Sequence, residues 1–194
     1  MSDQHESVEL VPSTTVSHVA TAVVLAALTA VLAQLSIQLP GGIPFSFQPF
    51  PVFFAGLLLG PLWGGFSMVL YLAVGLAGAP VFSNGGAGVG YLLGPTGGFL
   101  VGFLLAAALI GVVVHRSSTP KSFGEISPAI AAIALALSLV PIYAVGVPWF
   151  AEAQGWTIVR AANFMALFAV GDVLKVALSV GIVVGGNETL EQFA

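Results

Sequence analysis

Long apolar runs fill most of this chain, and short polar or proline- and glycine-rich stretches separate them. Nowhere do apolar and polar residues alternate over segments of about ten residues, as they do in transmembrane barrels. A helix needs roughly 20 apolar residues to cross a bilayer, so the runs predict membrane-spanning helices. The predicted segments are residues 18–39, 52–59, 62–78, 92–114, 126–147 and 159–184. The pattern therefore predicts an all-α membrane protein with a bundle of six transmembrane helices.

The second predicted span is short, because Gly60 and Pro61 end it after residue 59. The stretch before it, residues 40–51, mixes prolines, aromatic side chains and polar side chains in no regular order. An irregular segment is tolerated at membrane depth only where protein or a water-filled cavity covers it. We therefore expect an irregular loop after the first helix, folded over the outer mouth of the bundle. Pro141 is expected to interrupt the fifth helix.

The composition agrees with a protein embedded in the lipid bilayer. Hydrophobic residues make up 58% of the chain and charged residues 6%, with a mean hydropathy of +1.06. Soluble domains carry about 25% charged residues. Lysine and arginine total four, too few for a surface that binds nucleic acid. Cysteine is absent and the three histidines are scattered, so neither a metal site nor a cofactor is expected.

Three regions are predicted along the chain: a disordered acidic tail over residues 1–15, a six-helix transmembrane domain over 16–186, and a polar C-terminal tail over 187–194. The linker after the fourth helix contains two cations, Arg116 and Lys121. Loops rich in lysine and arginine stay in the cytoplasm. With six spans, both termini are then cytoplasmic in a multi-pass protein of the cytoplasmic membrane.

Asp172 and Lys175 are the most informative charged residues. They lie three positions apart, on one face of the sixth predicted helix, near the middle of the bilayer. Charged groups at that depth are costly and usually mark a functional interior. The alternative is a self-neutralising pair that fixes helix packing. Gly171 beside the pair removes bulk where a ligand can approach.

Seven glycines lie in the fifteen residues that end at Gly98. The loop lacks both the Walker Gly-Lys-Ser/Thr ending and the G-x-G-x-x-G spacing, so it is not expected to bind nucleotide phosphates. Instead its backbone N–H groups and the amide of Asn84 can line a pocket, with Tyr91 as an apolar wall with a polar tip. The alternative is a flexible outer loop.

Several motifs together carry a family resemblance. In chain order they are Pro44-Phe45-Ser46-Phe47-Gln48, Ala55-Gly56-Leu57-Leu58-Leu59-Gly60-Pro61, Gly78-Ala79-Pro80-Val81-Phe82, Leu93-Gly94-Pro95-Thr96-Gly97-Gly98-Phe99 and Gly171-Asp172-Val173-Leu174-Lys175. Over residues 16–185 the chain resembles the BioY family, the substrate-binding S components of energy-coupling factor (ECF) biotin transporters. The resemblance implies a protein that captures biotin, performs no reaction itself, and works with an ECF coupling transmembrane protein and ATPase subunits.

The resemblance also implies roles for individual residues. Asp172 accepts hydrogen bonds from the ureido group of biotin, and Lys175 either neutralises Asp172 or reaches the ligand carboxylate. The full set of expected substrate-binding residues is Gln48, Asn84, Tyr91, Thr96, Asp172 and Lys175. The stripe of small residues on the first helix resembles the motif through which S components dock on the coupling protein; its residues are Ala22, Ala26 and Ala30.

Two departures from the family pattern stand out: no arginine lies on the fourth helix, and Val170 stands where many relatives have proline. Two other functions stay open, an S component for another small vitamin and an intramembrane enzyme with Asp172 as its base. The sequence also leaves open whether the protein transports alone, as a homo-oligomer, or only with partners.

Overall fold

The computed structural model describes residues 12–38, 44–117 and 119–192 of the 194-residue chain. Its helices are α1 (Ser13–Gln34), α2 (Pro49–Leu76), α3 (Gly88–Leu92), α4 (Gly97–His115), α5 (Pro128–Gln154) and α6 (Ile158–Gln192). Five of these six helices are long and apolar enough to cross a membrane. This confirms a multi-pass, helical membrane protein. The N-terminal tail predicted over residues 1–15 lies largely outside the described residues.

The loop after α1 is more regular than the sequence predicts. It contains two short antiparallel strands, β1 (Ser36–Gln38) and β2 (Pro44–Ser46), in which Ile37 is opposite Phe45. Beyond the strands, Gln48 directly precedes α2. The ribbon therefore leads the chain from the end of α1 to the start of α2.

Helix α2 reverses direction at Gly60, whose φ of 72° and ψ of −172° are not helical. The Gln48 amide donates a hydrogen bond of 2.7 Å to the Tyr71 hydroxyl, 23 residues further on. In a straight helix those residues would lie about 35 Å apart, at 1.5 Å per residue. The two arms of α2, residues 49–59 and 61–76, therefore lie side by side and antiparallel. This is the break that Gly60 and Pro61 predict.

Two adjacent residues and a histidine from α4 explain the reversal. Only glycine readily adopts the backbone conformation of Gly60, and Pro61 suits the first turn of the second arm. His115, at the end of α4, satisfies the carbonyl groups that end the first arm. Its Nε2 lies 2.9 Å from the Leu57 carbonyl oxygen, and its Nδ1 accepts a 2.9 Å hydrogen bond from the backbone N–H of Lys121. Because Nδ1 accepts, Nε2 carries the proton and donates.

Helix α4 is the centre of the bundle, packed between α2 and α5. Its glycines allow backbones to approach closely on both sides. A Cβ atom at Gly102 would lie 2.7 Å from Cα of Ile142 in α5, and one at Gly111 would overlap the backbone of Gly60 and Pro61. Gly98 and Gly102, four residues apart, thus form a stripe of small residues that packs against α5.

Helices α1, α4, α5 and α6 differ in extent from the sequence prediction. Helix α1 spans 13–34 rather than 18–39, and α4 begins at Gly97 rather than residue 92. Helix α5 continues through Pro141 to Gln154, so the interruption expected at that proline is wrong. Helix α6 does not end near residue 184 but continues to Gln192.

Contacts with the α4–α5 linker explain the extension of α6. The Asn187 side chain donates a 2.9 Å hydrogen bond to the Ile126 carbonyl oxygen. The ring of Phe123 lies against Gly186, and Leu190 lies near Gly124. These contacts stabilise turns that the local sequence, with its two consecutive glycines, would leave weak.

Two glycine-to-alanine substitutions test the close packing of α4 against the α2 reversal. We expect Gly111→Ala to destabilise the protein by about 1–3 kcal/mol, because its methyl group would press on the backbone at Gly60. Gly65→Ala is the matched control, since its nearest neighbour would be a Leu104 methyl at 3.6 Å. Apparent melting temperatures in detergent measure both effects. Equal melting temperatures for the two variants would contradict the packing described here.

Candidate ligand-binding site

A buried ion pair lies on α6, on the helix face that the spacing predicts. The Nζ of Lys175 is 2.7 Å from Oδ1 of Asp172. The Tyr143 hydroxyl of α5 donates a 2.7 Å hydrogen bond to Oδ2 of the same carboxylate. Asp172 and Lys175 are only 8% and 5% exposed. Both carboxylate oxygens therefore have protein partners, which reduces the cost of burying the charge.

The ring of Phe45 in β2 covers the ion pair. Nζ of Lys175 lies 4.1 Å from the ring centroid, a cation–π distance. The same ring packs against Gly171, where a Cβ atom would overlap it. Gly171 thus provides space for a planar group beside the charges, and in this structure that group is Phe45.

A small cavity of about 60 Å³ remains next to the pair. Apolar side chains from three helices form most of its wall. They include Phe99, Phe103, Ile142, Met165 and Phe168. Sites for small molecules are usually about 300–1,000 Å³. The cavity has the expected composition of a ligand site, an apolar wall with a few polar groups, but it is too small for a ligand of vitamin size.

A second cavity, of about 310 Å³, lies along the glycine loop. Asn84, Tyr91 and Thr96 line it, three of the residues predicted from the sequence. Pro44 lines both cavities. The predicted residues therefore fall into two groups, Asp172 and Lys175 in one cavity and these three in the other, with β2 at the boundary.

Side chains from α1 and α5 hold the glycine loop in place. The Gln34 side chain donates to the Phe82 carbonyl oxygen and accepts from the Gly85 N–H, both at 3.0 Å. Trp149 donates a 3.0 Å hydrogen bond to the Gly94 carbonyl oxygen. Sequence reasoning missed both roles. Their partners are backbone atoms more than 45 residues away, so no local pattern reveals them.

Gln48 is placed differently from the other predicted residues, because it is not among those lining either cavity. Its Oε1 accepts hydrogen bonds from Ser46 at 2.8 Å and Ser83 at 2.9 Å, and its Nε2 donates to Tyr71. The Tyr71 hydroxyl in turn donates to the Val81 carbonyl oxygen. Gln48 thus connects the end of the ribbon, the glycine loop and the second arm of α2. Direct contact between Gln48 and a ligand remains a prediction.

The alanine stripe of α1 is only partly accessible. Ala22 is fully buried, and its carbonyl oxygen accepts a 2.9 Å hydrogen bond from Ser67 of α2. Ala26 and Ala30 line an apolar groove of about 320 Å³ between α1 and the second arm of α2. Ala26, which is 9% exposed, and the half-buried Ala30 are therefore the residues of the predicted docking stripe that border this groove.

Comparison with known proteins identifies the family. The model of the BioY family matches residues 4–192. The chain belongs to the BioY family. A probable biotin transporter BioY of Lysinibacillus sphaericus is 41% identical over 75% of this chain and 70% of its own length. The biotin transporter BioY of Thermotoga maritima is 35% identical over 82% of this chain and 79% of its own.

A solved structure extends the likeness to the fold. It is the crystal structure of the S component for biotin from an ECF-type ABC transporter, with a TM-score of 0.78 and 26% identity. The match covers 90% of this chain and 92% of the other. As a BioY protein, the chain is a transport protein and not an enzyme, which removes the alternative in which Asp172 is a catalytic base. Among the described residues, no three metal-ligating side chains cluster.

Proposed function

We propose that this BioY protein is the S component of an ECF-type transporter and captures biotin for uptake across the cytoplasmic membrane. The observation that carries the proposal is the buried ion pair of Asp172 and Lys175 beside an apolar cavity. The relatives named as biotin transporters support biotin as the ligand. The S-component structure supports an ECF assembly.

The reversal at Gly60 supports six passes through the membrane. The two arms of α2 are separate passes, which join α1, α4, α5 and α6. The first arm is short, about 16 Å at 1.5 Å per residue, so the residues that precede it must complete this pass. We place the linker with Arg116 and Lys121 in the cytoplasm. Both termini are then cytoplasmic, and the ribbon and the glycine loop face outside.

The chemistry of biotin suits the two cavities. Its thiophane ring is apolar, its ureido group donates and accepts hydrogen bonds, and its carboxylate is ionised. Phenylalanine and methionine side chains beside the ion pair match the apolar body. The carboxylate of Asp172 matches ureido N–H donors, and Lys175 provides positive charge for Asp172 or for the ligand carboxylate. Asn84, Tyr91 and Thr96 add polar contacts from the glycine loop.

The partners follow from what this chain contains. Its glycine loop has no Walker pattern, so ATP hydrolysis belongs to separate ATPase subunits. We propose that the ECF coupling protein docks on the groove lined by Ala26 and Ala30. Small residues at a helix surface let another membrane helix approach closely, and the groove offers an apolar recess of about 320 Å³.

Biotin binding by the purified protein tests the proposed ligand. We expect Asp172→Asn to weaken equilibrium binding of radiolabelled biotin by about 30-fold or more, because it removes the charge of a buried hydrogen-bond acceptor. Glu152→Gln is the control, since Glu152 lies at the exposed end of α5. Melting temperatures without ligand verify that both variants are folded. Failure of the unmodified protein to bind biotin at micromolar concentration, or full affinity in Asp172→Asn, would contradict the proposal.

Co-purification tests the docking surface. We expect Ala26→Leu to reduce co-purification with the coupling protein at least several-fold, because a larger side chain fills the groove that the partner helix needs. Biotin affinity should stay unchanged. Ala20→Leu is the matched control, because Ala20 is an exposed alanine on another face of α1. Parallel loss of biotin binding and co-purification would refute a docking role, as would normal co-purification of Ala26→Leu.

A further inference from the structure

The Phe45 ring occupies the surface that the proposed function assigns to the ligand. It lies over the Lys175 ammonium and fills the space beside Gly171. Among the residues that the structure describes, Phe45 is the aromatic residue that contacts the Lys175 ammonium. Its ring atoms are also the nearest neighbours that a Cβ atom at Gly171 would meet. A ligand that contacts Lys175 and Gly171 on this face must therefore take the place of the ring.

The cavity volumes lead to the same conclusion. Next to the ion pair only about 60 Å³ is free, whereas the cavity along the glycine loop holds about 310 Å³. Pro44 borders both spaces, and Phe45 follows it in β2. Withdrawal of these two residues would join the cavities into one space within the range of ligand sites, about 300–1,000 Å³.

The neighbours of Phe45 differ in how firmly they are held. Ser46 is buried and donates to Gln48, which is bound in turn by Ser83 and Tyr71. On the other side, within the described part of the chain, β2 pairs only with the three residues of β1, and Ile37 opposite Phe45 is 61% exposed. The network around Gln48 therefore fixes one end of β2, while the segment that carries Pro44 and Phe45 rests on a two-stranded ribbon, which is weakly stable by itself.

We propose that Phe45 is an affinity-determining residue that competes with biotin for Lys175 and for the surface of Gly171. This inference rests on the proposed function. When biotin binds, the cation–π contact between Phe45 and Lys175 is lost and contacts with the ligand replace it. The stronger the cation–π contact is, the weaker the observed affinity for biotin. A ligand that has no polar group to interact with the Lys175 ammonium gains nothing to offset the lost contact. Phe45 thereby favours ligands that are polar at the end that reaches Lys175.

Replacement of Phe45 tests the competition. Phe45→Leu keeps an apolar side chain but removes the π face, and we expect biotin to bind about 2- to 30-fold more tightly, the range of a cation–π contact. The association rate should rise with it. Phe47→Leu is the matched control: Phe47 is in the same loop, is 40% exposed, and stacks on Phe50 rather than on the ion pair. Phe45→Met provides a second replacement in case the leucine variant does not fold.

Two measurements together separate the outcomes: the kinetics of free biotin binding to surface-immobilised protein, and equilibrium binding. Tighter binding in both Phe45 variants, with an unchanged Phe47→Leu, supports the proposal. Unchanged or weaker binding in the Phe45 variants, while the unmodified protein binds biotin, overturns the role of Phe45 alone. Equal tightening in Phe47→Leu also overturns it, because the effect would then come from a loosened loop. Absence of biotin binding by the unmodified protein refutes the proposed function, and this inference with it.

Discussion

Burial of a full charge pair inside a membrane protein is the constraint on which the site depends. Asp172 and Lys175 are almost fully buried, so each needs partners from the protein. Tyr143 supplies a hydroxyl to the carboxylate, and Phe45 supplies a π face to the ammonium. Apolar side chains of similar size often stabilise a protein as well as a buried pair does. We therefore interpret the pair as retained for its ligand.

The scaffold and the site are built in different ways. Around α4, backbones pack in direct contact through glycines, and the reversal at Gly60 is fixed by Pro61 and His115. The site, by contrast, is closed by a three-residue strand and a glycine loop that depend on a few long-range hydrogen bonds. Rigid helices thus hold the ion pair at a fixed position, while the covering segment depends on fewer contacts. This division suits a protein that must admit a ligand and still keep its charges paired.

The helical bundle and the ion pair were predictable because their signals are local. Apolar runs of sufficient length, the Gly60-Pro61 break and the three-residue spacing of Asp172 and Lys175 can each be read within one segment. The continuation of α5 through Pro141 was not predictable, because packing against α4 and α6 overrides the proline. The length of α6 depends on Asn187 reaching Ile126, 61 residues earlier.

The arrangement of the predicted binding residues follows partly from the sequence and partly from the fold alone. Asn84, Tyr91 and Thr96 line one cavity, since all three lie in the segment between α2 and α4. That Gln48 is bound by Ser46, Ser83 and Tyr71 follows only from the fold, because the ribbon, the glycine loop and the second arm of α2 meet there. The family resemblance supplied the ligand, and no spacing or composition in the chain specifies biotin.

The most direct measurement is made on a variant in which the polar cluster is replaced by apolar side chains: Asp172→Leu, Lys175→Met and Tyr143→Phe together. All three charged or hydroxyl groups are removed at once, so none is left buried without a partner. If the pair is retained for its ligand, the variant keeps its apparent melting temperature in detergent within a few degrees and loses all measurable biotin binding. A variant that still binds biotin, or one that no longer folds, would contradict this account.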